Sequence, residues 1–100
     1  MSCLFACGLL TLAGGVAFAQ GTHLSGAKYL KDAKVSLVRA RAIALKACHG
    51  KIVSEELEKE RGGSGLRYSF DVRKGKVLHE VGVDAKTGKV LENSIDNGND

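Results

Sequence analysis

The chain reads as an α+β domain: one N-terminal helix packed on a small antiparallel β-meander of three to four strands. Three features of the sequence predict this. Residues Arg67 to Leu91 contain runs that alternate apolar and polar, the period of half-buried strands. Glycines, Gly75 and Gly88, stand between those runs, where a hairpin turn needs a residue that tolerates positive φ. Upstream, a Ser-led, alanine-rich stretch repeats its apolar residues at helical spacing.

Taken in order, the chain opens with an uncharged run, Leu4 to Ala19, that ends in Ala17-Phe18-Ala19. Small residues flanking the end of a short apolar segment mark a secretory signal, so residues 1–19 are assigned as a signal peptide cut after Ala19. Cleavage leaves no stable membrane span, because the apolar run is removed. The expected localisation is periplasmic or secreted. Cys3 and Cys7 leave with the signal, and Cys48 is then the sole thiol. That excludes an intramolecular disulfide and a Cys-x-x-Cys motif. All 15 Lys and Arg and all 11 acidic residues lie beyond the signal, so the net charge of +4 belongs to the folded part.

Residues 20–35 are expected to be a flexible leader. The helix begins at Leu37 with Ser36 as N-cap, and Gly50 stands where a C′ glycine would close it. Leu37, Ala40, Ile43, Ala44, Ala47 and Cys48 fall on one stripe at 100° per residue, with Arg39 and Lys46 roughly opposite. Lys51 to Glu60 reads as a strand of imperfect alternation, its Lys and Glu suited to an exposed edge. Arg61-Gly62-Gly63-Ser64-Gly65 is a loop.

Two strands follow. Leu66, Tyr68, Phe70 and Val72 share one face of the first, and Val77, His79, Val81 and Val83 one face of the second. In the last turn Asp84 is placed to accept from turn amides, with Thr87 beside it and Gly88 in the left-handed position. A short strand closes the domain, assigned to residues 36–95. Residues 96–100 are expected to be a disordered tail.

The ordering, the helix ending in Ala47-Cys48-His49-Gly50, Tyr68 two residues before Phe70, and Glu80 to Leu91 together resemble a PepSY domain. The resemblance covers about Ser36 to Glu92. It implies a compact helix-on-sheet module of the kind found in propeptides of thermolysin-like metalloproteases and in secreted bacterial proteins. Such modules modulate proteases or bind partners at the cell envelope. The resemblance brings no catalytic residues. It makes Ser36, Gly50, Tyr68, Val83, Asp84, Thr87 and Gly88 structural.

No His-Glu-x-x-His, Gly-x-Ser-x-Gly or phosphate-cradling glycine loop is present, and no enzyme is expected. Cys48 and His49 are adjacent, but neighbours on a helix diverge by about 100° and do not form a nucleophile–base pair. His23, His49 and His79 lack metal-ligand spacing, so neither metal nor cofactor is expected. Nucleic acid is not an expected partner: Tyr29, Tyr68 and Phe70 form no stacking platform.

Lys28, Lys31, Lys34, Arg39, Arg41, Lys46 and Lys51 are set against only Asp32 in their segment, an asymmetry that reads either as a solvated face or as a surface that steers anionic partners to the helix side. The expected partner is a peptidase or other envelope protein. It would meet the helix flank, Arg39, Arg41 and Lys46, and the strand edge at Ile52 and Val53. The alternative is an envelope ligand or cation sensor that uses the histidines or the basic helix.

Overall fold

The structure is a computed structural model that describes residues 23–96. The expected signal segment 1–19, residues 20–22 and residues 97–100 lie outside the described part. Strand β1 is Leu24–Ser25, followed by a 3₁₀ helix, Ala27–Asp32, and helix α1, Leu37–Ala47. Strands β2 (Lys51–Lys59), β3 (Leu66–Lys74), β4 (Val77–Asp84) and β5 (Val90–Asp96) complete the chain. The sheet order is β1-β2-β3-β4-β5, with β2 to β5 an antiparallel meander and β1 parallel to β2.

The α+β reading holds, and the alternation on β3 and β4 fixes which face meets the helix. Tyr68 pairs with Val83, Phe70 with Val81 and Val72 with His79, so the apolar residues of both strands point the same way. Tyr68, Phe70, Val72, Val81 and Val83 are all fully buried. Each such side chain contributes about 1.5–3 kcal/mol relative to exposure. The Tyr68 and Phe70 rings, two residues apart on one face, stack at 6.1 Å. Ala40 and Ala44 are also fully buried, and their small side chains let α1 lie close against the sheet. Leu37, Ile43 and Ala47 pack around them as partly buried residues.

Several boundaries differ from expectation. The sheet has five strands, because part of the expected leader is structured: Leu24 pairs with Glu55 and Ser25 with Glu56. A two-residue strand has no visible period, and what holds it is burial of Leu24 together with a left-handed Gly26, φ 85°. A Cβ at Gly26 would collide with the Leu57 carbonyl oxygen. The helix is therefore not the first element. At the other end, β5 runs to Asp96, one residue into the expected tail. Its polar residues are tolerated because β4 is long enough to pair with them: Glu80 faces Ser94 and Leu78 faces Asp96.

Ser36 caps α1 as expected, its Oγ accepting from the Arg39 N–H at 3.1 Å. Gly50 does not close it. The helix ends with Cys48 in an extended conformation, and Gly50 has no positive φ. Glycine is needed there for space, since a Cβ would run into the Arg73 carbonyl oxygen.

Gly88 does take the left-handed conformation, φ 82°, and a Cβ on it would lie 3.3 Å from Ile43 Cδ1. Its N–H donates to the Asp84 carbonyl at 2.8 Å. Valine at this position is expected to cost about 1–3 kcal/mol, because a β-branched residue is strained at positive φ. A thermal melt of Gly88→Val should fall by at least about 5 °C. A melt within a degree of the parent would show that the turn is not under this constraint.

Candidate functional site

The β4–β5 turn is built around one carboxylate. Asp84 is 1% exposed, and its Oδ1 accepts from Ser64 Oγ at 2.7 Å and from the N–H groups of Lys86 and Thr87 at 2.8 and 3.2 Å. Its Oδ2 accepts from the Ser64 N–H at 2.7 Å. Burial raises the Asp84 pKa, but these donors, from Lys86, Ser64 and Thr87, outweigh it and hold the carboxyl at about 2. Thr87 Oγ1 accepts in turn from the Lys89 N–H at 3.2 Å. The Ala85 carbonyl receives the N–H groups of Lys34 and Val35, both at 2.9 Å, and buried Tyr68 donates its hydroxyl to the Val35 carbonyl at 2.7 Å. The turn thus binds the entry to the helix, the Gly-rich loop and the sheet into one unit. Tyr68, Val83, Asp84, Thr87 and Gly88 all sit in or beside it. Ser64 is the member the local sequence hides, since its contact with Asp84 spans 20 residues.

The helix flank is divided. Arg39 and Lys46 are exposed. Arg41 is not offered to a partner: its Nε donates to Glu55 Oε1 at 2.9 Å and its Nη2 to Glu55 Oε2 at 2.7 Å. The Glu55 side chain is fully buried and that of Arg41 is 18% exposed. Hydrogen bonding to Glu55 raises the Arg41 pKa against the opposing effect of burial. The expectation of an outward Arg41 fails because Glu55, on the helix face of β2 opposite Phe70, needs a cation to be buried at all.

The β2 edge is also more occupied than expected. β1 covers Glu55 and Glu56, and the 3₁₀ helix lies against the same strand. Ile52 and Val53 are half-buried, and the register shifts between Ile52 and Ser54, leaving Val53 as a bulge. Such irregularity blunts an edge. At the opposite edge of the sheet, β5 pairs with β4 alone. It shifts register beside Val83 and then stays regular from Glu92 to Asp96. Ile95 is 58% exposed on it.

The histidines remain apart. His23 and His49 are exposed, while His79 is half-buried on the helix face of β4, opposite Val72 and Ile95. Cys48 is buried and forms no disulfide among the described residues. What the sequence reading missed is on the other face of the sheet, where carboxylates gather. Oxygens of Asp71, Glu80 and Asp96 lie within 4.8 Å of one another, the group among the described residues with spacing for a hard cation. Burial, then the charges of Glu92, Asp71, Asp96 and Glu58, raise the Glu80 pKa. Neighbouring serines bind several of these carboxylates: Ser54 donates to Asp71 at 2.7 Å, Ser69 to Glu58 and Ser94 to Glu92, both at 3.0 Å. Arg67 lies among them, with Nη1 3.4 Å from Glu92. The alternation put Asp71 and Glu80 on the polar faces of their strands, but only the register shows them as neighbours, and Asp96 was assigned to the tail.

A family model described as peptidase propeptide and YPEB domain, PepSY, matches residues 34–93. The match begins at Lys34, whose N–H binds Ala85, and ends inside β5. No curated protein and no solved structure matches the chain. Among the described residues, no helix is long and apolar enough to cross a membrane.

Proposed function

The chain belongs to the PepSY family, and on that premise we propose that it is a non-catalytic binding module that regulates, by inhibition, a peptidase outside the cytoplasm. Members of the family are typically extracellular or periplasmic and act as propeptide- or inhibitor-like modules. Export by a signal cut after Ala19 is part of the proposal.

The observation that carries the reading is the family match over residues 34–93, which takes in α1, β2, β3, β4 and the first half of β5. The geometry supports it. The best-connected polar side chains, Asp84, Ser64, Arg41, Glu55 and Tyr68, hold elements of the fold to one another. Recognition then belongs to the exterior. Arg39 and Lys46 are the helix residues proposed to face a partner, and Ile52 and Val53 contribute only at the uncovered end of β2.

The test is a titration of the purified chain from Gln20 onward into a thermolysin-like metalloprotease that is hydrolysing a protein substrate. Hydrolysis should slow to a saturating limit, and the chain alone should leave the substrate intact. Unchanged protease kinetics at a large excess of the chain would overturn the inhibitory role.

A further inference from the structure

We infer that the free edge of β5 accepts an extended peptide with alternating basic and apolar side chains, added as the next strand of the sheet. This deepens the proposed function and rests on it for the identity of the partner as a protein.

The edge itself is the first observation. Among the described residues no strand lies beyond β5, and alternate N–H and C=O groups of an edge strand point away from its one neighbour. From Glu92 to Asp96 the strand is in regular register with β4, with neither Lys nor Pro to discourage pairing. The other edge is covered by β1 and broken at Val53. Main-chain hydrogen bonds to an added strand would supply affinity there, and side chains on its two faces would supply selectivity.

The two faces of β5 differ, and the difference specifies the occupant. On the helix face Ile95 stands beside His79 and is 58% exposed, an apolar contact for alternate residues of the peptide. On the other face stand Glu92, Ser94 and Asp96; Ser94 lies opposite Glu80, and Glu80 opposite Asp71 on the next strand, an acidic group in which Arg67 pairs with Glu92. A peptide residue on that side meets negative charge, and Lys or Arg is the complementary choice. A second copy of this chain fits poorly. Antiparallel pairing of the regular stretch of β5 with itself, centred on Ser94, would join two acidic faces into one sheet and set Glu92 opposite Asp96 of the second copy.

The experiment is fluorescence anisotropy of a labelled synthetic nonapeptide of alternating Lys and Val. It is compared with a peptide of the same composition in which the Lys and Val are in separate blocks. Saturable binding of the alternating peptide is expected, weakening as salt rises and lost for the blocked order. Ile95→Lys, at an exposed position and so expected to melt like the parent, should weaken binding at least about tenfold, since edge lysines oppose strand addition. Equal binding of the two peptides would overturn the proposal, as would an Ile95→Lys protein that binds normally. So would sedimentation showing a dimer that Ile95→Lys dissolves and the peptide does not, because the edge would then belong to a second copy. A peptidase inhibited equally well by the Ile95→Lys protein would overturn the edge while leaving inhibition standing. Edge-dependent peptide binding with no effect on any peptidase would support the edge and overturn the inhibitory reading.

Discussion

Replacing Asp84 by alanine is expected to lower stability by about 3–4 kcal/mol, as much as truncating a buried aromatic side chain. Hydrogen bonds to a charged acceptor contribute about 1.5–3 kcal/mol each, but those sharing one carboxylate do not add. The Asp84 carboxylate accepts four, from two atoms of Ser64 and from the Lys86 and Thr87 amides. Without it the loop at Ser64 and the turn at Lys86 lose their common anchor, although water reaches both because Ser64, Lys86 and Thr87 are exposed. A domain of this size has on the order of 5–10 kcal/mol in all. The loss should therefore lower Tm by roughly 15–25 °C, measured by circular dichroism. Asp84→Asn keeps the shape and one acceptor oxygen and should fall between. An alanine variant that melts within about 3 °C of the parent would remove Asp84 from the centre of this account.

The same carboxylate sets an acid limit. Its ordinary value is 3.8 and its folded value about 2, so the unfolded chain takes up the proton first as pH falls. The stabilisation, about 2 kcal/mol, is complete above the unfolded value and is lost as pH drops through the folded one, between about pH 4 and 2. Glu80 acts in the opposite sense. Its raised value means that the folded state protonates first, which relieves repulsion among the carboxylates on that face as pH falls. The steep acid loss should accordingly be flattened in Asp84→Asn and not in Glu80→Gln.

How much of this was legible depended on range. The runs Leu66–Val72 and Val77–Val83 could be read because a strand with one buried face writes its period into adjacent residues. Asp84 and Gly88 could be read because a turn's chemistry is local. Leu24–Ser25 could not, since two residues carry no period and their pairing with Glu55 and Glu56 is tertiary. Asp96 read as tail because it is held by backbone pairing with Leu78 of β4 and not by apolar packing of its own side chain. The imperfect alternation of Lys51 to Glu60 had a cause in the bulge at Val53. The acidic face required the register of three strands at once. Glu55 was the most misleading residue: among Glu56, Glu58 and Lys59 it looks like surface charge, and its partner is on another element.

That partnership gives the second large effect. Arg41→Ala is expected to cost about 3 kcal/mol, because it leaves the Glu55 carboxylate buried without its bidentate guanidinium. Arg41→Lys should recover only part of this, since an ammonium offers a point charge and no matching fork. Glu55→Ala should cost a similar amount, now leaving the guanidinium without its carboxylate under the helix. The double variant Arg41→Met, Glu55→Met is expected to be less damaging than either single alanine change. It removes both charges and fills the space with apolar atoms, an exchange that is often neutral in protein interiors. The cycle closed with the single methionine variants should show a coupling of about 2 kcal/mol, measured by urea denaturation. Methionine effects that simply add would mean that the two side chains act independently despite their contact. The cycle also separates structure from recognition at Arg41. If its role is to hold α1 on the sheet, the double variant should bind any partner of the exposed helix flank as the parent does, while Arg39→Ala and Lys46→Ala weaken that binding without changing the melt.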